Sequence, residues 1–263
     1  MKNILLYGDS NTWGFNPDFT SKSDLRFARE ERWGGVLQEC LGPECCVLEE
    51  GLSGRTTSLE DPAAPGRSGL ALLAPIVQSH QPLDLLVFLL GTNDMKNTYH
   101  ASVADIRRGM ELVLQAALCP YAWDTRKPPK MLLISPTYIY DRGVHDFIDA
   151  ASAEKSLHLA AHYEQLSKDY GCAFLDAAQV AAPSEWEGLH LDKKGPYRFR
   201  QGGGRSCTPI DEITGGVAMY RFDNEQKEIH FDKYNTPTPW MNYLSNGGFS
   251  HDDLALRRGS GFL

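Results

Sequence analysis

Short apolar runs recur through roughly the first 190 residues, at Asn3–Tyr7, Cys45–Leu48, Leu83–Leu90, Met131–Ser135 and Cys172–Leu175, bounded by Gly, Pro or Asp. Runs of this length without polar alternation suit strands buried on both faces. Between them, Arg32–Leu41, Leu70–His80, Val103–Leu118 and Ala151–Tyr170 read as helices. In the third, Ile106, Met110, Leu112, Val113 and Ala117 form the predicted apolar stripe. Five strands alternating with four helices predict an α/β fold with a parallel sheet covered on both sides. In such a sheet ligands bind at the carboxyl ends of the strands.

The pattern changes near Lys194. The stretch Pro196–Cys207 has no helical stripe and contains three consecutive glycines. Alternation in Val217–Phe222 and Lys227–Phe231 predicts a β-hairpin. The prolines of Asn235–Trp240 predict extended chain. The domain organisation expected is therefore residues 1–195, then an atypical tail, 196–263.

Composition narrows the function. With 26 Lys+Arg against 34 Asp+Glu, the net charge of −8 argues against nucleic-acid binding, which calls for a basic face. No apolar run approaches the ~18 residues of a membrane span. The N-terminal apolar run is too short for a signal peptide, and the six cysteines (40, 45, 46, 119, 172 and 207) form no CxxC pair. Reduced thiols in a cytoplasmic protein without a metal or other cofactor are the expectation. Neither GxGxxG nor a P-loop lysine is present, so the sheet does not read as nucleotide-binding.

Candidate chemistry sits at the strand ends. The first strand delivers Gly8-Asp9-Ser10, where a serine hydroxyl can be exposed beside a helix N-terminus. The same tripeptide also fits a plain helix-capping turn. The second ends near Gly51-Leu52-Ser53-Gly54, whose glycines permit an exposed N–H. The third ends in Gly91-Thr92-Asn93-Asp94, where the Asn93 amide either donates to a developing oxyanion or closes an Asx-turn. A serine nucleophile needs a base. Of eight histidines, His190 in Glu187-Gly188-Leu189-His190 follows the last strand and carries an acid three residues before it. His145 and the other six lack a recognisable constellation, and His158 and His162, at i and i+4, read as a solvated helix face.

These blocks, in this order, resemble the SGNH (GDSL-type) hydrolases over residues 1 to about 195. Arylesterase-type members, some of which also act as acyltransferases and perhydrolases, share further stretches such as Arg32-Trp33 and Glu49–Thr57. The resemblance implies a flavodoxin-like three-layer sandwich and a serine esterase for short acyl esters. It implies Ser10 as nucleophile, His190 as base, and an oxyanion hole from the Ser10 and Gly54 N–H groups and the Asn93 amide. Trp13 and Phe15 would line the acyl pocket. Glu187 stands where the family usually has Asp, with Glu185 as fallback; Asp9 and Asp94 read as turn-fixing. The partners expected are a small acyl-ester substrate and further copies of the chain, with no nucleic acid or membrane.

Family members continue with a last amphipathic helix where this chain has Pro196–Cys207. Shifting the codons by one base across 195–207 permits a helical pattern, so the tail is read as a frameshift fusion, docked on its own domain or a neighbouring subunit. Residues 235–244 resemble the beginning of cellobiose-phosphorylase-type enzymes. That favours a second enzymatic reading, a carbohydrate acetylesterase. A reading of another class is an assembly protein impaired by loss of the helix.

Overall fold

The computed structural model describes residues 1–124 and 127–192, together with two strands at 220–223 and 228–231. The chain divides into two compact units, Met1–Ala218 and Met219–Leu263.

The first unit is built on five parallel strands: β1 (Lys2–Gly8), β2 (Cys45–Gly51), β3 (Leu85–Leu89), β4 (Lys130–Ser135) and β5 (Ala173–Asp176), in the order β2-β1-β3-β4-β5. This is the flavodoxin-like order. The interleaved helices are α1 (Ser10–Trp13), α2 (Trp33–Leu41), α3 (Gly69–Ser79), α4 (Val103–Leu118) and α5 (Ala150–Tyr170). Side-chain alternation divides each central strand between two cores. Leu5, Tyr7, Leu86, Phe88 and Leu133 pack with residues of α3, α4 and α5. Ile4, Leu6, Val87, Leu132 and Ile134 lie in a second cluster with Trp33 and Leu37 of α2.

β2 continues beyond its apolar run to Gly51, where the sequence places the strand end, because its partner β1 continues to Gly8 and an edge strand tolerates Glu49 and Glu50. One detail differs from the sequence pattern. In α4 the buried stripe takes Leu114, whereas Leu112 is only partly buried. At 100° per residue, position 114 falls with 106, 110, 113 and 117, and 112 points away.

Register brings the strand ends level. Gly8 pairs with Gly51 on one side and Leu89 on the other. The chain steps from β1 outward to β2, then crosses to β3, which makes the β1 end the topological switch point. Among the described residues no helix is long and apolar enough to cross a membrane. The five described cysteines form no disulfide.

In the second unit, β6 (Tyr220–Asp223) and β7 (Glu228–Phe231) pair antiparallel, Tyr220 opposite Phe231 and Asp223 opposite Glu228. The predicted hairpin is therefore present, three residues later at its start and one residue longer at the end of its first strand. The glycine-rich segment, the frameshift reading at 195–207, the extended 235–240 stretch and the docking of the tail lie outside the described residues.

Candidate active site

Ser10 opens α1 directly after β1. Asp9 caps that one-turn helix, its Oδ1 accepting the Asn11 N–H at 2.9 Å, so the capping turn is present, and the Ser10 side chain beside it is buried rather than exposed. Beyond β2, a turn closes from the Arg55 N–H to the Leu52 carbonyl at 3.0 Å, with Gly54 at its third position and φ +84°. That left-handed φ favours glycine. Beyond β3, Asn93 opens a 3₁₀ turn, Asn93–Met95, and its Nδ2 donates to the Arg55 carbonyl at 3.0 Å. One amide hydrogen thus fixes the side chain, and the second remains to donate.

Two buried groups hold these loops together. Asp94 accepts from the Thr57 N–H at 3.0 Å and the Thr57 hydroxyl at 2.6 Å. Burial pushes its carboxyl up to about 6, against the pull of those hydrogen bonds. Arg55, 2% exposed, donates from Nη1 to the carbonyls of Gly8 (2.9 Å) and Glu50, and its guanidinium lies 4.2 Å from the Tyr7 ring centroid. The sequence reading gave Arg55 no role. Asp9, also fully buried, is raised by desolvation, partly offset by the Asn11 N–H. Asp9 therefore fixes its own turn, as expected, whereas Asp94 ties the loop after β3 to the one after β2.

His190 lies on the loop after β5. An antiparallel bridge from Pro183 to Leu191 and a bond from the Ser184 N–H to the His190 carbonyl (2.7 Å) close that loop. Gly188 has φ +78°, and a Cβ there would come 2.1 Å from the Tyr140 carbonyl oxygen, so this close approach also needs glycine. The Leu191 N–H donates to Asn11 Oδ1 at 2.9 Å, which docks the loop beside the serine. His190 Nε2 then lies 3.0 Å from Ser10 Oγ, and its Nδ1 3.0 Å from Glu187 Oε2. Glu187 Oε1 accepts the Leu189 N–H at 3.2 Å and the His190 N–H. The extra methylene is absorbed by folding the carboxylate back onto its own loop. Burial opposes the Glu187 charge, but His190, through its hydrogen bond and charge, and His145 outweigh it and hold the carboxyl below the usual range. Glu185, the fallback, is exposed.

A serine, an imidazole and a carboxylate in hydrogen-bonded series are the geometry of acyl transfer. Residues 6–196 match the GDSL-like lipase/acylhydrolase family. The chain belongs to that family. This GDSL hydrolase is similar to the solved M. smegmatis aryl esterase, at 35% identity over 74% of this chain and 93% of that one, TM-score 0.69. It is also similar to a carbohydrate acetylesterase family member from Sinorhizobium meliloti, at 33% identity over 82% and 100%, TM-score 0.70. No curated protein matches it. The family and these neighbours make the GDSL hydrolase a carboxylic ester hydrolase.

The structure adds one residue that the sequence reading set aside. His145, on the β4–α5 connection, places Nε2 2.6 Å from Glu187 Oε2. The only signal available was topological, since that connection leaves the carboxyl end of β4 and so opens on the same rim. His145, Glu187 and His190 offer ligand atoms within 4.8 Å of one another. The 2.6 and 3.0 Å separations to Glu187 are those of N–H···O bonds, so protons account for the cluster.

Phe15 lies against His190, ring centroids 4.2 Å apart. Trp13, held by Arg26 at 4.9 Å from its ring centroid, is partly buried on the helix that carries Ser10. Phe19, Tyr140, Val144 and Trp186 are exposed on the segments that carry Phe15, His145 and His190. The Trp186 indole is fixed by its N–H bond to Asp18 Oδ1 at 2.8 Å. His158 bonds Glu154 on an exposed surface, as the solvated-face reading expects.

Proposed function

We propose that this hydrolase cleaves short-chain acyl esters, acetyl to butyryl, through an acyl-enzyme on Ser10. The observation that carries the reading is the unbroken series Ser10–His190–Glu187, at 3.0 Å on each side of the imidazole. His190 Nε2 accepts the Ser10 proton as Oγ attacks the ester carbonyl. The Ser10 and Gly54 N–H groups and the Asn93 amide stabilise the oxyanion. His190 returns the proton to the departing alcohol and then deprotonates water. An alcohol or hydrogen peroxide that reaches the acyl-enzyme can be deprotonated by the same nitrogen, which gives acyltransfer or perhydrolysis. Trp13 and Phe15 bound the acyl side. The reading supposes a cytoplasmic enzyme that associates with further copies of itself.

Hydrolysis of p-nitrophenyl esters from C2 to C12 tests this. Activity is expected to peak at C2–C4; a maximum at C8 or longer would overturn the short-acyl assignment. Asn93→Ala is expected to lower kcat by about 10²–10³-fold with KM little changed, because that donor acts chiefly on the charge developed in the transition state.

A second reading, carbohydrate acetylesterase, has one observation in its favour. The exposed aromatic side chains of Trp186, Tyr140 and Phe19 offer faces on which a sugar ring can stack. A kcat/KM for acetylated xylo-oligosaccharides above that for p-nitrophenyl acetate would favour it.

A further inference from the structure

We infer that His145 is a positioning residue of this active site, acting through Glu187. The inference rests on the triad proposed above. Glu187 Oε2 receives two imidazole nitrogens, His190 Nδ1 at 3.0 Å and His145 Nε2 at 2.6 Å. An ionised carboxylate only accepts hydrogen bonds, so both nitrogens carry the shared protons. With the two backbone N–H groups on Oε1, the carboxylate has four donors and no freedom to turn.

Glutamate has one more rotatable bond than the aspartate usual at this place in the family. A free Glu carboxylate at 187 would sample orientations in which Oε2 leaves His190 Nδ1. His145 removes them, because turning Oε2 away from His190 also breaks the 2.6 Å bond in a buried place. A short, charge-assisted bond of this kind is about twice as strong as a neutral one.

The surroundings hold His145 for that task. Its ring stacks on Phe147, centroids 5.0 Å apart and 25° between planes. The ammonium of Lys96 covers Phe147 at 4.8 Å. Asn97 ties the same segment to the end of β3, its N–H bonding the Phe147 carbonyl (3.0 Å) and its Nδ2 the Asp146 carbonyl (3.1 Å). On the other side the Tyr140 N–H donates to the Gly188 carbonyl at 2.9 Å, in the same loop as Glu187. Ring packing and hydrogen bonding are therefore separate features of one side chain, and substitution can divide them.

His145→Phe keeps a ring against Phe147 and removes the donor. His145→Gln keeps an amide N–H at the reach of Nε2 and removes the ring. With p-nitrophenyl acetate, His145→Phe is expected to lose about 10–100-fold in kcat with KM within twofold, the scale of a misoriented catalytic group. His145→Gln is expected to stay within about threefold of wild type. Both should melt near the wild-type temperature. If His145→Phe melts below the assay temperature, His145→Asn replaces it, since its shorter amide stops short of Oε2. Wild-type kcat in the donorless variant, or equal losses in the glutamine and phenylalanine variants, would overturn the inference. Ser10→Ala assayed alongside separates the two levels. Activity surviving in Ser10→Ala refutes the triad itself, whereas a dead Ser10→Ala beside a fully active His145→Phe refutes only the role of His145.

Discussion

Ser10→Ala is expected to lower kcat for p-nitrophenyl acetate by about a million-fold, the scale seen when a triad nucleophile is removed. What survives should be the roughly 10³–10⁴-fold advantage over water that oxyanion donors and binding supply. The structural cost should be small. Ser10 is 4% exposed and its hydroxyl bonds His190 Nε2 among the described residues, while the backbone bonds that form α1 are untouched. KM should change little, and the melting temperature should stay within a few degrees. Activity within about a hundredfold of wild type would mean that the attacking group lies elsewhere. Loss of activity accompanied by a collapse in melting temperature would mean that Ser10 acts on the fold.

Glu187→Gln is expected to cost about 10⁴-fold in kcat, the loss known when a triad acid becomes its amide. The reason here is a count of donors. Both carboxylate oxygens accept: Oε1 from the Leu189 and His190 N–H groups, Oε2 from the His190 and His145 rings. An amide can accept on one side only. If its oxygen stays with the backbone donors, its NH₂ faces His190 Nδ1 and drives the proton to Nε2, and a protonated Nε2 cannot accept from Ser10. The same change alters the pH dependence of stability. Glu187 is held below its ordinary pKa, so it stabilises the fold above the unfolded value, and that contribution is lost as pH falls through the folded value. Melting temperatures on the acid side should fall less steeply in the glutamine variant. A wild-type rate in Glu187→Gln would show that the carboxylate's charge and acceptor count are dispensable.

Much of the site was legible because its parts are local. Gly8-Asp9-Ser10, the Gly54 turn and Asn93 each follow a short apolar run, and strand ends in a parallel sheet share one rim. Glu187 and His190 lie within one turn of chain, so their spacing alone suggested a pair. Arg55 and His145 were not legible. Arg55 works through the carbonyls of Gly8 and Glu50, groups that every sequence has. His145 lies 42 residues from Glu187, and nothing in the residues around it marks a partner.

The sequence by itself determined the α/β class, the order of strands and helices along the chain, that Ser10 follows a strand end and that His190 carries an acid three residues before it. Those follow from periodicity and from residues a few positions apart, which local sterics and hydrogen bonding control. Only the tertiary structure decided that Glu187 meets His190 despite its extra length, that Asn93 is held by the Arg55 carbonyl, and that a second imidazole shares the acid. These depend on loops distant in sequence closing over the end of the sheet, where a difference of about 1 Å separates a hydrogen bond from none.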